Sequence, residues 1–225
     1  MNTIAIVGAG PGLGLAIARV FGAKGFSVAL ISRTQSRLDE LARTLGDEGI
    51  EARGFVGDVM DRESLAAALA SAKESFGSID VLEFSPAPHA PVPGLEMVGA
   101  LDLTVDSMAP QLEFYLYSAI AAVREVLPEM LERGSGTLLF TTGGGSISPN
   151  PVMGNINAAS AALRNWAVNL NGALADTGVH AAYVAINLLI DSGPEKASSA
   201  AIAQLYWTAH EARDTAEYVY ALDGD

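Results

Sequence analysis

The sequence has no cysteine. Disulfide bridges, thiolate nucleophiles and cysteine-ligated metals are therefore excluded. Histidine is scarce as well, with three scattered residues, so no metal site is expected. Positive charge is in deficit. Lys and Arg number 13 against 26 Asp and Glu, a formal net charge of −13. Nucleic-acid binding normally needs a basic face, so DNA or RNA is not an expected partner. A phosphate-bearing cofactor is still compatible, because backbone N–H groups and one Arg suffice to hold it. No apolar run approaches the ~20 residues a membrane helix needs. Residues 3–7 read as a strand rather than the apolar core of a signal peptide. The expectation is a cytoplasmic protein with a small-molecule substrate and no membrane partner.

Half of the residues are hydrophobic and 17% are charged, so the chain can bury a sizeable core. Its length suits one α/β domain over residues 1–225, with no linker, repeat or low-complexity tract. Strand-length apolar runs alternate with segments of helical spacing. Residues 3–7 read as a strand, followed by a helix carrying Ile17, Val20 and Phe21 that stops at Gly25. Residues 28–31 are a second strand. Ser36 can cap a helix with Leu38, Leu41 and Leu45 on one face and Gly46 past its end. Phe55 and Val56 lead to Gly57-Asp58-Val59, and Asp61 caps a helix carrying Leu65, Leu69 and Phe76. Residues 79–84 are a fourth strand. A loop rich in Pro and Gly runs over about 85–99, and a long helix over about 111–133, tolerating Pro128. A strand over 137–142, a helix over 155–176, a strand over 179–190, a helix over 198–210 and a short strand at 218–220 complete the series. This alternation predicts a three-layer, doubly wound α/β fold with a parallel sheet covered on both faces.

The segment Gly8-Ala9-Gly10-Pro11-Gly12-Leu13-Gly14 lies directly between the first strand and the first helix. Glycine lets backbone approach a pyrophosphate without a Cβ in the way. The following helix points its free N–H groups and positive dipole end at the anion. In that strand–helix context the pattern reads as the phosphate loop of a Rossmann fold; a tight turn with no ligand is the plainer alternative. The second strand ends at Ser32-Arg33. A site for NAD usually has an acid there to hold the ribose hydroxyls. Here Arg33 stands instead, and a guanidinium suits a 2′-phosphate. NADP(H) is thus expected over NAD(H), unless Arg33 is simply a solvated loop residue.

These features resemble the short-chain dehydrogenase/reductase family over nearly the whole chain. The likeness is carried by the glycine spacing, Asp58-Val59, Leu127-Pro128-Glu129-Met130 and Gly136-Thr137-Leu138-Leu139. The resemblance implies an NAD(P)-dependent oxidoreductase. It implies cofactor contacts from Gly8, Gly10, Pro11, Gly12, Leu13, Gly14, Ser32, Arg33, Asp58, Val59 and Ser85. The family's reaction usually rests on a Ser, a Tyr and a Lys, with an Asn from the fourth helix. Family spacing puts the Tyr at Asn157, the Lys at Ala161, the Ser at Gly143 or Thr142, and the Asn near Tyr115. The family's Asn-Asn-Ala-Gly reads Phe84-Ser85-Pro86-Ala87, its Pro-Gly is missing near Ile186-Asn187, and the lid segment 191–196 is short. An amide is not an acid near neutral pH. Ala161 brings no charge to lower a neighbour's pKa.

Hydride transfer is cofactor chemistry, and the protein supplies position and a proton. Tyr115 or Tyr117 could place a phenol in the pocket, against the alternative of aromatic packing or a subunit contact. Thr142 or Ser146 could bind a substrate oxygen. Asn157 or Asn155 could orient a substrate. His89 titrates in the useful range, although a lone loop His is more often merely solvated. An activated C=N, C=C or C=O bond asks less of an acid than a simple ketone, so reduction of such a group is expected. The alternatives are a catalytically silent NADP(H)-binding sensor or structural subunit, and an isomerase or lyase. Ala119, Ala121 and Ala122 on one long helix, and Ala158, Ala159, Ala161 and Ala162 on another, permit close helix approach. With the resemblance, they lead to an expected homodimer or homotetramer.

Overall fold

The computed structural model describes residues 2–88 and 92–222. Seven strands form one sheet: β1 (Thr3–Val7), β2 (Ser27–Ser32), β3 (Ala52–Val56), β4 (Val81–Phe84), β5 (Gly136–Gly143), β6 (Val179–Ile186) and β7 (Glu217–Tyr220). All neighbours pair in parallel, in the order β3-β2-β1-β4-β5-β6-β7. Every residue of β1, β4 and β6 is buried, as expected of parallel strands covered on both faces.

The covering helices are α1 (Leu13–Gly22), α2 (Gln35–Asp47), α3 (Arg62–Phe76), α4 (Val105–Leu112), α5 (Ser118–Arg133), α6 (Gly154–Ala173) and α7 (Ser199–Ala212). Alternate residues of β1 enter different cores. Ala5 and Val7 join Leu65 of α3, Val123 of α5 and Leu163 of α6. Ile4 and Ile6 join Phe21 of α1, Leu41 of α2 and Tyr206 of α7. Each such Leu, Ile or Phe contributes roughly 1.5–3 kcal/mol by leaving water. The chain winds outward from β1 to β3, then crosses to β4 and winds the other way. That reversal opens a crevice at the carboxyl ends of β1 and β4, where ligands of such sheets bind.

Several boundaries differ from the sequence expectation. Thr34, not Ser36, precedes α2, and Gly46 lies inside its last turn; the chain reverses later, at Gly49 with φ +79°. The long helix starts at Val105 rather than near Gln111. Thr104 and Ser107 cap each other reciprocally (Ser107 N–H to Thr104 Oγ1, 3.1 Å; Thr104 N–H to Ser107 Oγ, 3.0 Å), and this start outweighs the interruption by Pro110. Between α4 and α5 the helix widens into a π-helical turn at Glu113–Tyr117. The sixth strand ends at Ile186, where its partners Gly143 and Tyr220 also end, and the apolar residues Leu188 and Ile190 leave the sheet. His89 lies outside the described residues. Among them, no helix is long and apolar enough to cross a membrane.

Candidate active site

The glycines after β1 have separate duties. Gly8 has φ +96°, and a Cβ there would stand 2.6 Å from Pro86 Cα, so this position admits no side chain. Its N–H and that of Ala9 both donate to Ile31 O, at 2.9 and 3.0 Å, which ties the loop to β2. A Cβ on Gly14 would lie 3.2 Å from Ala9 Cα, so this glycine lets α1 pack closely on the loop. Gly12 is different. A Cβ there would meet only the Asp191 carboxylate, at 3.8 Å. Its open side is the cleft. In the first turn of α1 the Leu15 and Ala16 N–H groups donate to Gly10 O and Gly12 O, at 3.0 and 3.1 Å, which leaves those of Leu13 and Gly14, with the helix dipole, for an anion.

The cleft has a volume of about 690 Å³. Of the residues singled out from sequence, it gathers Gly8, Gly10, Pro11, Gly12, Leu13, Gly14, Ser85, Tyr115 and Thr142. A second hollow of about 500 Å³ shares Tyr115, Gly143, Ile186 and Leu188 with it and holds Asn157. Ser32, Arg33, Asp58 and Val59 do not line either space. They follow β2 and β3 beside the loop, with Arg33 exposed. The Asp58 carboxylate accepts from Met60 N–H at 3.0 Å, and Val59 is buried.

Tyr115 sits in the π-helical turn, and Arg62 of α3 grips the carboxylate of Glu113 at its start, at 2.7 Å. A π-turn re-aims the side chains it carries relative to an α-helix. The Tyr115 phenol is pushed up to about 12, by burial first and by neighbouring Tyr183 second. It therefore keeps its proton across the physiological range. Thr142 Oγ1 is hydrogen-bonded to the Tyr183 phenol, which burial also holds above its ordinary value. Ser146 Oγ donates to Gly143 O at 3.1 Å. Asn157 Nδ2 donates to Asn150 O at 3.0 Å, and its Oδ1 occupies the space a Cβ on Gly145 would need. Asn187 presses in the same way on Gly144. The glycine run 143–145 is thus room for two amides rather than slack.

Two candidates are placed elsewhere. The exposed Tyr117 lies against the Arg62 guanidinium, 5.6 Å from ring centroid to Cζ. Asn155 is fully buried and structural. It accepts from Val98 N–H at 3.0 Å and donates to Glu96 O at 2.9 Å, pinning that loop to α6.

The sequence reading missed Glu83. This carboxyl is completely buried in β4 beneath the cleft. Ser85 Oγ donates to its Oε2 at 2.8 Å and Thr141 Oγ1 to its Oε1 at 3.2 Å, while Thr141 Oγ1 also meets the Tyr206 phenol at 2.7 Å. Burial pushes Glu83 up to about 8, and the two hydroxyls offset only part of that. The available signal was one acid inside the apolar run 81–84.

A parallel sheet of this order, with a glycine-rich first turn at its topological switch point, defines a nucleotide-binding α/β fold class. Within it, the chain belongs to the short-chain dehydrogenase/reductase family of oxidoreductases: the family model described as short chain dehydrogenase matches residues 2–191. Dehydrogenase/reductase SDR family member 4 of Bos taurus is 31% identical over 192 residues, covering 84% of this chain and 66% of the relative. Very-long-chain 3-oxoacyl-CoA reductase of Anas platyrhynchos is 28% identical over 189 residues, covering 83% of this chain and 56% of the relative. The chain thus spans less than two thirds of the length of these relatives. The fold is shared with L-sorbose reductase from Gluconobacter frateurii, complexed with NADPH and L-sorbose (TM-score 0.85, 20% identity, 99% of this chain and 95% of that one). It is shared with an NADPH-bound short-chain oxidoreductase from Pseudomonas aeruginosa PAO1 containing an atypical catalytic center (TM-score 0.84, 18% identity, 100% and 97%).

Proposed function

We propose that this chain is an NADP(H)-preferring reductase with a non-standard active site, in which Tyr115 is the proton donor. One observation carries the reading: a half-buried phenol that holds its proton up to about 12 lines both the glycine-loop cleft and the adjoining hollow. The cradle fits a dinucleotide. Gly12 leaves room for a pyrophosphate and the first turn of α1 supplies the donors. When bound, the nicotinamide supplies the hydride. Two proteins of the same fold, those from Gluconobacter frateurii and Pseudomonas aeruginosa, carry NADPH, which supports the choice of cofactor.

Tyr115 has no cation to lower its pKa; burial and Tyr183 raise it. Such a phenol is a poor base at neutral pH but a competent donor to an oxygen, nitrogen or carbon that gains charge. Reduction is thus favoured over oxidation, and an activated C=N, C=C or C=O bond over a simple ketone. Asn157, anchored through Asn150 O, orients the substrate, and Thr142, backed by Tyr183, faces it from β5. Tyr115→Phe lowers kcat/KM for an activated substrate roughly 100-fold and leaves NADPH affinity within about twofold. Steady-state kinetics with calorimetric titration checks this; unchanged kcat/KM, or brisk reduction of simple ketones that ignores the variant, sinks it.

Arg33 follows β2 where an acid would otherwise hold ribose hydroxyls. Its exposed guanidinium pairs with the 2′-phosphate, worth roughly 1–2 kcal/mol. Arg33→Ala accordingly weakens NADPH about tenfold and spares NADH. Equal losses for both cofactors would remove the basis of the NADP preference. A second reading, a catalytically silent NADP(H)-binding subunit, is favoured by one observation: the polar groups of Thr142 and Asn157 are already hydrogen-bonded within the protein. Tight NADPH binding with no turnover on a broad carbonyl, imine and enone panel selects it.

A further inference from the structure

Glu83 has no part in the chemistry above, yet two residues that line the cleft bond to it. Ser85 is half-buried beside the glycine loop; the Gly8 position is pressed against the Ser85–Pro86 backbone. Thr141 lines the cleft from β5. Their hydroxyls reach the two Glu83 oxygens, at 2.8 and 3.2 Å. A carboxylate can only accept, whereas a carboxylic acid has one O–H to donate. With Glu83 ionised, Ser85 and Thr141 must both turn their protons inward. With Glu83 protonated at Oε2, the shorter bond reverses, the acid donates to Ser85 Oγ, and the Ser85 proton is free for the cleft.

We infer that Glu83 is a positioning residue for the dinucleotide: protonated, it presents Ser85 as a donor to the bound phosphate or ribose, and ionised, it withdraws that donor and sets a negative charge beneath the anion. The inference rests on reading this cleft as a dinucleotide site. Burial, which raises Glu83 to about 8, puts the change within reach of a binding experiment. The groups around Glu83 leave it in control. From α7 it faces the Tyr206 phenol, held neutral by its own burial. The other titratable residues of α7 and α1 are engaged elsewhere or lie at the surface: His210 bonds Thr137 at the far end of β5, Glu211 is exposed, and Arg19 pairs with Glu48 at the surface. Beside Glu83, β1 and β5 present Ile6 and Leu139. Across the cleft, Asp191 accepts from Ser199 N–H at 2.7 Å.

The test is calorimetric titration of the full chain with NADPH between pH 7 and 9.5, in buffers of different ionisation heat. Affinity is expected to fall about tenfold or more over that range, with net proton uptake on binding near pH 8. Glu83→Gln, which keeps one donor and one acceptor, should bind like the parent at pH 7 and lose the pH dependence. Ser85→Ala should bind several-fold more weakly than the parent at pH 7 and fall less steeply toward pH 9.5, and it carries the test if the Gln variant fails to fold. A flat parent profile, or binding without proton uptake, overturns the inference and leaves the cofactor reading standing. Failure of NADPH, NADP, NADH and NAD alike to bind at pH 7 overturns both.

Discussion

Gly12→Asp abolishes dinucleotide binding while the chain stays folded. Gly12 is the glycine to change, because a side chain there enters the cleft and meets nothing nearer than Asp191 at 3.8 Å. Gly8 would not serve: its positive φ and the 2.6 Å approach to Pro86 make any side chain a folding defect. A carboxylate at position 12 takes the space of the pyrophosphate and sets like charge against it at the helix N-terminus. Two unit charges about 4 Å apart near a protein surface repel by up to roughly 4 kcal/mol. The expected result is at least a 100-fold loss of NADPH affinity (about 3 kcal/mol), with the melting temperature of the unliganded protein within about 4 °C of the parent. Calorimetry and a thermal melt check the two halves. Retained affinity would mean that the cofactor does not use this loop.

The second large effect is on stability. Glu83→Gln stabilises the protein increasingly as pH rises from 5 to 9. Below about 4.5 the carboxyl is protonated in both folded and unfolded chains, and it distinguishes neither. Between 4.5 and about 8 the unfolded chain releases the proton while the folded chain retains it. Each pH unit in that window then removes up to ~1.4 kcal/mol, levelling above about 8 at no more than about 5 kcal/mol. Glutamine has no proton to retain. Denaturant unfolding at pH 4.5, 6.5 and 8.5 should show the gap between variant and parent widen to several kcal/mol. Parallel curves would show that Glu83 is ionised in the folded core. Glu48 and Glu96 act the other way. Arg19 beside the first, and backbone N–H groups beside the second, hold them below their ordinary value, so their contribution is lost as pH falls through the acid range. Both are at the surface.

Much of this molecule is legible in the order of its residues. The apolar runs located the five inner strands β2, β1, β4, β5 and β6, since a strand buried on both faces is mostly apolar, whereas the part-exposed edge strands β3 and β7 were marked only by short runs. The glycine loop located one end of the cleft, because the first strand–helix turn of such a sheet faces the crevice. The element ends were less legible. Leu188 and Ile190 continue an apolar run, so the sixth strand looked longer than it is. Hydrophobicity cannot distinguish a side chain facing a core from one lining a cleft.

The chemistry was the least legible. Tyr115 could be named from its place on the fourth helix of the resembling family, and Tyr117 equally well. Only the π-turn, held by Arg62 from another helix, turns the first into the cleft and leaves the second at the surface. Asn155 and Asn157 looked alike in sequence, yet one anchors a loop and the other lines the hollow. Glu83 accepts from Thr141, 58 residues away, and Thr141 meets Tyr206, a further 65 residues on, because the sheet order sets β5 beside β4 and brings α7 over both. By itself, then, the sequence determined the order of the elements, the fold and the place of the glycine loop, all of which follow from local periodicity and backbone freedom. The placement of Tyr115 at the cleft and of the buried acid Glu83 beneath it was decided by tertiary structure, since a crossover sets which distant side chains share one dry space, and that sharing sets their pKa.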